Sequence, residues 1–433
     1  MSTRTARALS WANKGLWTVL DQGLFAGSNF LMYILLARWL NPTEYGAFTV
    51  AFTVFLLVGT AHTGLLSEPM LVFGPGPYRD NLSGYIRTLL AGHVGFSLVA
   101  AAGLALGALC TWAFGPPLLG RVLLTLSVSQ PFILFSWLAR RSFYINLTPR
   151  WAAIAGVVYA ILMIAGLYAI FRMSLLTPSW ALGIMSFASL VAGAWVLTRL
   201  GVNIVTQPER DLARDAVRRH WNYGRWAVAT GAIMWIPGQL PFIVLSATGG
   251  LASSAALKAL RNLAMPAAHT YSALFILMVP AFVHARMRGK LRGFMTTAMA
   301  VIVVAMGAYW TFLGLAGIPI MRWLYKGQYM EYSHLLWLMG AQPLVAGIAA
   351  VLSAGLRALE RPHHVFWGYL ATSAGVLTLG ITFIVTLQVK GAIIGYIVCN
   401  LLGIAVMFHL LVTNSAGAQP SSSPKPASPA GES

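Results

Sequence analysis

The sequence predicts an all-α polytopic membrane protein, with about twelve transmembrane helices in two pseudo-symmetric six-helix bundles around a central cavity. Three observations carry this. The chain of 433 residues is 58% hydrophobic and only 9% charged, where a soluble domain carries roughly 25% charged residues. Twelve apolar stretches are each long enough to cross a hydrocarbon core about 30 Å thick. The cations fall in alternate connections, and short motifs of the first half return in the second.

The stretches cover residues 16–38, 43–72, 84–113, 118–141, 151–171, 178–200, 224–247, 252–283, 293–318, 331–356, 363–387 and 391–413. They divide the chain into an N-lobe (1–203, segments 1–6), a cytoplasmic amphipathic linker (204–223), a C-lobe (224–413, segments 7–12) and a tail (414–433). The tail is rich in Pro, Ser and Ala and is expected to be disordered and cytoplasmic. With both termini inside, the outer connections hold only Arg38, Arg121, Arg172, Arg322, Lys326 and Lys390 of the 29 Lys and Arg. Almost all the others lie on the cytoplasmic side, as the positive-inside rule requires. The formal net charge of +19 therefore reports topology, and no nucleic-acid partner is expected. Cys110 and Cys399 both sit in apolar segments, which predicts neither a disulfide framework nor a metal site. No small-residue cleavage site follows a short apolar region near the N-terminus, so the first segment is expected to stay in the mature chain.

Duplication shows in two places. Trp11, Gly15 and Trp17 open the first half; Trp221, Gly224 and Trp226 open the second. Ser129-Gln130-Pro131 in segment 4 is matched by Ala341-Gln342-Pro343 in segment 10. All follow one register of about 210 residues, which lays segments 1–6 on segments 7–12. Because six is even, the halves enter the membrane from the same side, an arrangement of parallel repeats with the substrate site between them.

In segment 1, Asp21 and Ser28 share one helix face, with Gln22 and Asn29 about 100° round it. A carboxylate this far in is costly without a partner or water, so Asp21 is expected on the cavity wall. Asn41-Pro42-Thr43-Glu44 then has the form of a capping box with Pro at the first helical position. Glu68, in Ser67-Glu68-Pro69, ends segment 2 near the cytoplasmic side. Pro131 and Pro343 each free a carbonyl one turn earlier and mark kinks. The linker carries Arg210, Arg214, Arg218 and Arg219 against Glu209, Asp211 and Asp215, and reads as a surface helix on anionic lipid. Pro237-Gly238-Gln239 and Pro241 interrupt segment 7 and predict a hinge. Segments 11 and 12 are smooth and apolar.

Segment 8 holds the candidate site. Lys258, Arg261, Asn262, Met265, His269 and Ser272 recur at spacings of three and four, which stacks them along one helix face opposite Leu257, Leu260 and Leu263. Lys258 is near enough to the helix start to snorkel to the interface. Arg261 is about one turn deeper, with Asn262 and His269 beyond it. Ionised groups at this depth face a bundle interior or a water-filled cavity, so the stripe is expected to hold an anion.

Ala37-Arg38-Trp39-Leu40-Asn41-Pro42-Thr43-Glu44-Tyr45-Gly46 resembles the "A-x-x-L-G-P-x-x-Y-G" signature of bacterial polysaccharide exporters in the multidrug/oligosaccharidyl-lipid/polysaccharide (MOP) superfamily. Lys326-Gly327-Gln328-Tyr329 is similar to that family's "F-G-x-x-Y", and Lys390-Gly391-Ala392-Ile393-Ile394-Gly395 to its "G-x-x-G" entry to the last helix. Asn41 departs from the family's usual Gly. The resemblance implies an O-antigen-flippase-like protein of the bacterial inner membrane, moving a polyprenyl-diphosphate-linked oligosaccharide outward by alternating access. Lys258 and Arg261 would engage the diphosphate. A coupling ion (H+ or Na+) or the membrane potential would drive the cycle, with no other cofactor. Membrane lipid and a polysaccharide synthesis/export complex would be its partners.

Two rival readings compete with this one. A cation-coupled multidrug exporter of the same superfamily would want an acidic pocket, whereas here one deep carboxylate faces two cations. A membrane glycan polymerase, ligase or glycosyltransferase would want acid, base or metal-binding residues outside; residues 116–120, 173–177 and 248–251 contain no Asp, Glu or His.

Overall fold

The computed structural model describes residues 3–146, 148–201 and 209–415. The expected lobe boundary at 203/204 and the tail beyond residue 415 lie outside them. Every regular element among the described residues is helical.

In order these are α1 (Thr3–Trp39); α2 (Pro42–His62), carried through a π turn at Thr63–Ser67 into Glu68–Phe73; α3 (Leu82–Phe114); α4 (Pro117–Ser142); α5 (Pro149–Arg172); and α6 (Pro178–Leu200). The second half has α7 (Arg210–Gly249), α8 (Leu251–Met287), α9 (Leu291–Tyr325), α10 (Leu336–Ala358), α11 (Pro362–Gly375, then a π turn at Val376–Gly380) and α12 (Ile381–Ser415). Among the described residues ten helical segments are long and apolar enough to cross a membrane. One of them, Pro362–Thr413, is 52 residues long, more than twice what a ~30 Å core needs at about 1.5 Å per residue. It turns at Gln388 (φ 51°, ψ −129°) and supplies two crossings. Polar-striped α8 completes twelve.

The capping box forms as the sequence implies. Asn41 Oδ1 accepts from the Glu44 amide at 2.9 Å, and Glu44 Oε2 accepts from the Asn41 amide at 3.4 Å. Three expectations are corrected. The described part of the linker is no separate surface helix: it forms the first turns of the 40-residue α7, because nothing from Glu209 to Tyr223 breaks a helix. Nor does α7 break at Pro237, Gly238 and Pro241; it stays helical to Gly249, as α4 and α10 do through Pro131 and Pro343. Pro237 has no N–H for the Ile233 carbonyl, and the Ser373 hydroxyl donates to that oxygen instead, at 2.7 Å. The actual departures from α geometry are the π turns in α2 and in the supposedly smooth α11.

The duplication is visible in the packing. Helix pairs α1–α5, α2–α4, α3–α4, α4–α6 and α5–α6 in the first half recur as α7–α11, α8–α10, α9–α10, α10–α12 and α11–α12 in the second. Each pair repeats with six added to both labels, which is what two superposable bundles require.

The end of the molecule at the α1–α2 and α7–α8 turns is sealed. One apolar cluster runs from Met32, Leu36, Tyr45, Phe48 and Phe55 of the first bundle to Phe242, Leu245, Leu260 and Leu263 of the second. The Arg38 guanidinium donates to the Trp323 carbonyl at the end of α9 (3.0 Å), and Gln328 Nε2 donates to the Arg38 carbonyl (3.4 Å). Gly46 lies so close to the Leu251 carbonyl that a Cβ would overlap it. Further in, the apolar clusters are smaller and separate, and one of them, around Met278, Phe282, Ile302 and Val351, lies within the C-lobe alone. Inner-half residues such as Leu16, Val19 and Leu20 of α1 and Val283 and Met287 of α8 are exposed. At this end the start of α7 carries the contact between the lobes: Ala216 packs with Met70, Tyr78 and Tyr85, and the Tyr78 hydroxyl donates to Asp215 at 2.8 Å.

Candidate functional site

Gly250 (φ +80°) makes the tight connection from α7 to α8, a backbone angle that suits a residue without Cβ. The Ser254 hydroxyl donates to the Phe242 carbonyl at 2.6 Å and fixes the hairpin. This sets α8 beside α1, α2 and α7 at the sealed end of the gap between the lobes.

The polar stripe divides among three neighbours. The Lys258 ammonium does not snorkel: it sits 3.7 Å from the Tyr33 ring centroid on α1, a cation–π contact across the lobes. Arg261 turns to α7, where Nη1 donates to the Gly238 carbonyl and Cζ lies 5.6 Å from the Phe242 ring and 5.9 Å from that of Tyr396. Among the described residues no carboxylate lies within 4.0 Å of either cation. Asn262 is about 100° round the helix from Arg261 and does not line the cavity. It is fully buried against α2, with Nδ2 donating to the Tyr45 hydroxyl at 3.0 Å, so it belongs to the outer seal. His269, two turns deeper than Arg261, is exposed on the inner half of α8.

A cavity of about 420 Å³ lies against the α2–α7 seam. Thr60, Thr63, Glu68, Trp137, Trp235 and Gln239 line it together with Gly59, Gly64, Gly231 and Gly238. The glycines let the backbones approach: a Cβ on Gly224 would stand 2.7 Å from the Gly64 carbonyl oxygen. The volume falls within the range of about 300 to 1,000 Å³ usual for small-ligand pockets. Gly238 is the junction, since its α-carbon side lines this cavity while its carbonyl holds Arg261. Behind Arg261 a hollow of about 50 Å³ is lined by Tyr271, Gln342, Pro343 and Tyr396.

Asp21, expected on the cavity wall, is buried inside the N-lobe instead. Its side chain is 0% exposed, Tyr144 donates to Oδ2 at 2.6 Å, and Arg140 Nε lies 3.7 Å from Oδ1. Arg140, assigned by sequence to the cytoplasmic cations, also stacks on Phe25 at 3.9 Å. Gln22 is exposed and donates to Asp21 at 3.3 Å; Asn29 bonds back to the Phe25 carbonyl at 2.9 Å and faces Tyr159. The structure thus brings Arg261 to the Gly238 carbonyl beside the cavity and Lys258 to the Tyr33 ring, and leaves Asp21, Gln22 and Asn29 with α1, α4 and α5. Arg140, Trp137 and Trp235 were not legible as site residues, because the sequence offers no spacing that links them to Asp21 or to α8.

Two bundles of six helices are clamped at one end, with a cavity on the seam between them. The fold is like that of solved transporters of the MOP superfamily. A multidrug-resistance MATE family transporter of that superfamily in an inward-facing conformation superposes with a TM-score of 0.73 at 14% identity, over 92% of this chain and 96% of that one. Lipid II flippase MurJ in an inward closed conformation gives 0.74 at 15% identity, over 92% and 87%. A MOP superfamily transporter from Pyrococcus furiosus, described as having a binding pocket of reverse polarity, gives 0.63 at 15% identity, over 93% and 94%. No protein-family profile matches the sequence, and no curated protein matches it by sequence.

Proposed function

We propose that the protein is a flippase that carries a polyprenyl-diphosphate-linked oligosaccharide across the bacterial cytoplasmic membrane for exopolysaccharide, capsule or O-antigen synthesis. Both termini lie in the cytoplasm, and the drive is a coupling ion or the membrane potential. The observation that supports this best is the pair Lys258 and Arg261 at the sealed end of the seam between the lobes, Arg261 bonded to the Gly238 that lines the cavity, with no carboxylate within 4.0 Å of either among the described residues. Fixed cations in a site of low dielectric attract a diphosphate strongly, and the guanidinium offers it a bidentate match. The Gly238 carbonyl holds Arg261 through one bond only, which leaves further N–H groups for the ligand. Thr60, Thr63 and Gln239 offer hydrogen bonds to sugar hydroxyls in the adjoining space.

Loss of the protein should accumulate the lipid-linked glycan in the inner leaflet. Arg261→Ala should reproduce that accumulation with a normal protein level. No build-up in either strain would overturn the reading. One observation favours a second reading, export of an organic cation: Glu68 stands in the cavity with Trp137 and Trp235. In that case Glu68→Gln would abolish drug resistance, and Arg261→Ala would spare it.

A further inference from the structure

The flippase reading makes no use of a buried histidine pair in the N-lobe. His62 of α2 and His93 of α3 are 0% and 5% exposed. His62 Nε2 and His93 Nδ1 are 3.0 Å apart, with ring planes at 89°. A line between two ring nitrogens holds one proton, so one ring donates and the other accepts while both are neutral. Around them stand the rings of Phe96 and Phe135 and the hydroxyl of Ser97, 3.5 Å from His93 Nδ1. His62 Nδ1 has no hydrogen-bond partner among the described residues. No carboxylate lies within 4.0 Å of either ring among the described residues. The charged groups on the packed elements are Arg141 of α4, which acts electrostatically on His62, Glu68 beyond the π turn of α2, and Arg87 on α3. On α7, His220 bonds to the Leu65 carbonyl of the π turn at 2.8 Å.

The pair also has a mechanical connection. His62 is the residue that enters the π turn Thr63–Ser67. Thr63 and Gly64 of that turn line the cavity, and Gly64 packs against Val228 of α7. π turns inside α-helices frequently sit at functional sites, since one inserted residue offsets the register of the turns beyond it. Asp21 makes a poor rival as a proton carrier. Its buried carboxylate balances the Arg140 guanidinium, and protonating it would strand that cation.

From this juxtaposition we propose that His62 and His93 form the binding site of a coupling proton, and that its arrival moves the π turn and with it the α2–α7 seam. The proton bonds to a free ring nitrogen from the more acidic side and leaves from the same nitrogen when the opposite side opens. No other bond changes. The proposal rests on the transporter reading only in needing two access states.

The test uses the full chain in lipid nanodiscs, with Cys110→Ser and Cys399→Ala and spin labels on cysteines at Leu16 of α1 and Met287 of α8. Acidification from about pH 8 to about pH 5 spans the ordinary histidine range. It should shift the distance distribution between the labels. The shift should vanish in His62→Gln and His93→Gln and persist in Asp21→Asn. A shift retained in both histidine variants, or none with the native pair, would overturn the proposal. Should the variants fold poorly, nitrogen-15 spectra of histidine-labelled native protein decide the same question: the pair must titrate within that range. Neither measurement involves a glycan, so a negative result leaves the flippase reading standing, and absence of glycolipid accumulation leaves this one standing.

Discussion

Replacing Asp21 with Asn removes one charge of a buried pair and keeps the shape of the side chain. Arg140 is 12% exposed and Asp21 0%, with 3.7 Å between Nε and Oδ1. At an effective dielectric of about 20, opposite unit charges at that separation attract by roughly 4 to 5 kcal/mol. Deleting one partner of such a pair typically destabilises by about 3 to 5 kcal/mol, since the other charge stays buried and uncompensated. The ring of Phe25 recovers a fraction, and Tyr144 can still donate to the Asn oxygen. The expected loss is therefore about 3 kcal/mol. It is read as the temperature at which detergent-solubilised protein loses its monodisperse peak in size-exclusion chromatography. Arg140→Gln should cost a similar amount, and Asp21→Asn combined with Arg140→Gln should recover most of either loss, because no lone charge remains. An Asp21→Asn protein as heat-resistant as the native one, or a double variant no better than the singles, would refute the reasoning.

Arg261→Lys should restore little of the flux lost in Arg261→Ala, because an ammonium lacks the planar fork that grips both a carbonyl and a phosphate; glycolipid turnover in cells measures this. Gly46→Val should prevent the outer seal from closing, since its side chain would occupy the space of the Leu251 carbonyl, and a cysteine at Asn262 should then react with a membrane-impermeant thiol reagent added outside. Ser373→Ala strands the Ile233 carbonyl freed by Pro237 and should destabilise the protein by about 1 to 3 kcal/mol in the same chromatographic assay.

Much of the architecture was written locally. Apolar runs, alternating cation-bearing loops and the capping box at Asn41 are properties of neighbouring residues, and the bilayer acts on them directly. The twofold repeat was legible for the same reason: each half buries its faces in the same order. The positions of Lys258 and Arg261 on one stripe followed from helical periodicity alone. Their different destinations did not. Lys258 reaches α1, Arg261 reaches α7 and Asn262 reaches α2, since a stripe some 100° wide meets three neighbours at a crowded crossing.

The proline-rich stretch of α7 shows another limit. Prolines predicted a break, but the carbonyl that Pro237 frees is caught by Ser373, 140 residues on, and the helix continues. What the chain determined by itself was therefore its solvent and its number of crossings, both set by transfer between water and hydrocarbon. Tertiary packing alone decided which charges are neutralised. Asp21 is matched by Arg140, far along the chain and on another helix, while among the described residues Lys258 and Arg261 meet rings and a carbonyl and no carboxylate within 4.0 Å. A pairing of that kind depends on which helix faces are pressed together, and no local spacing encodes it.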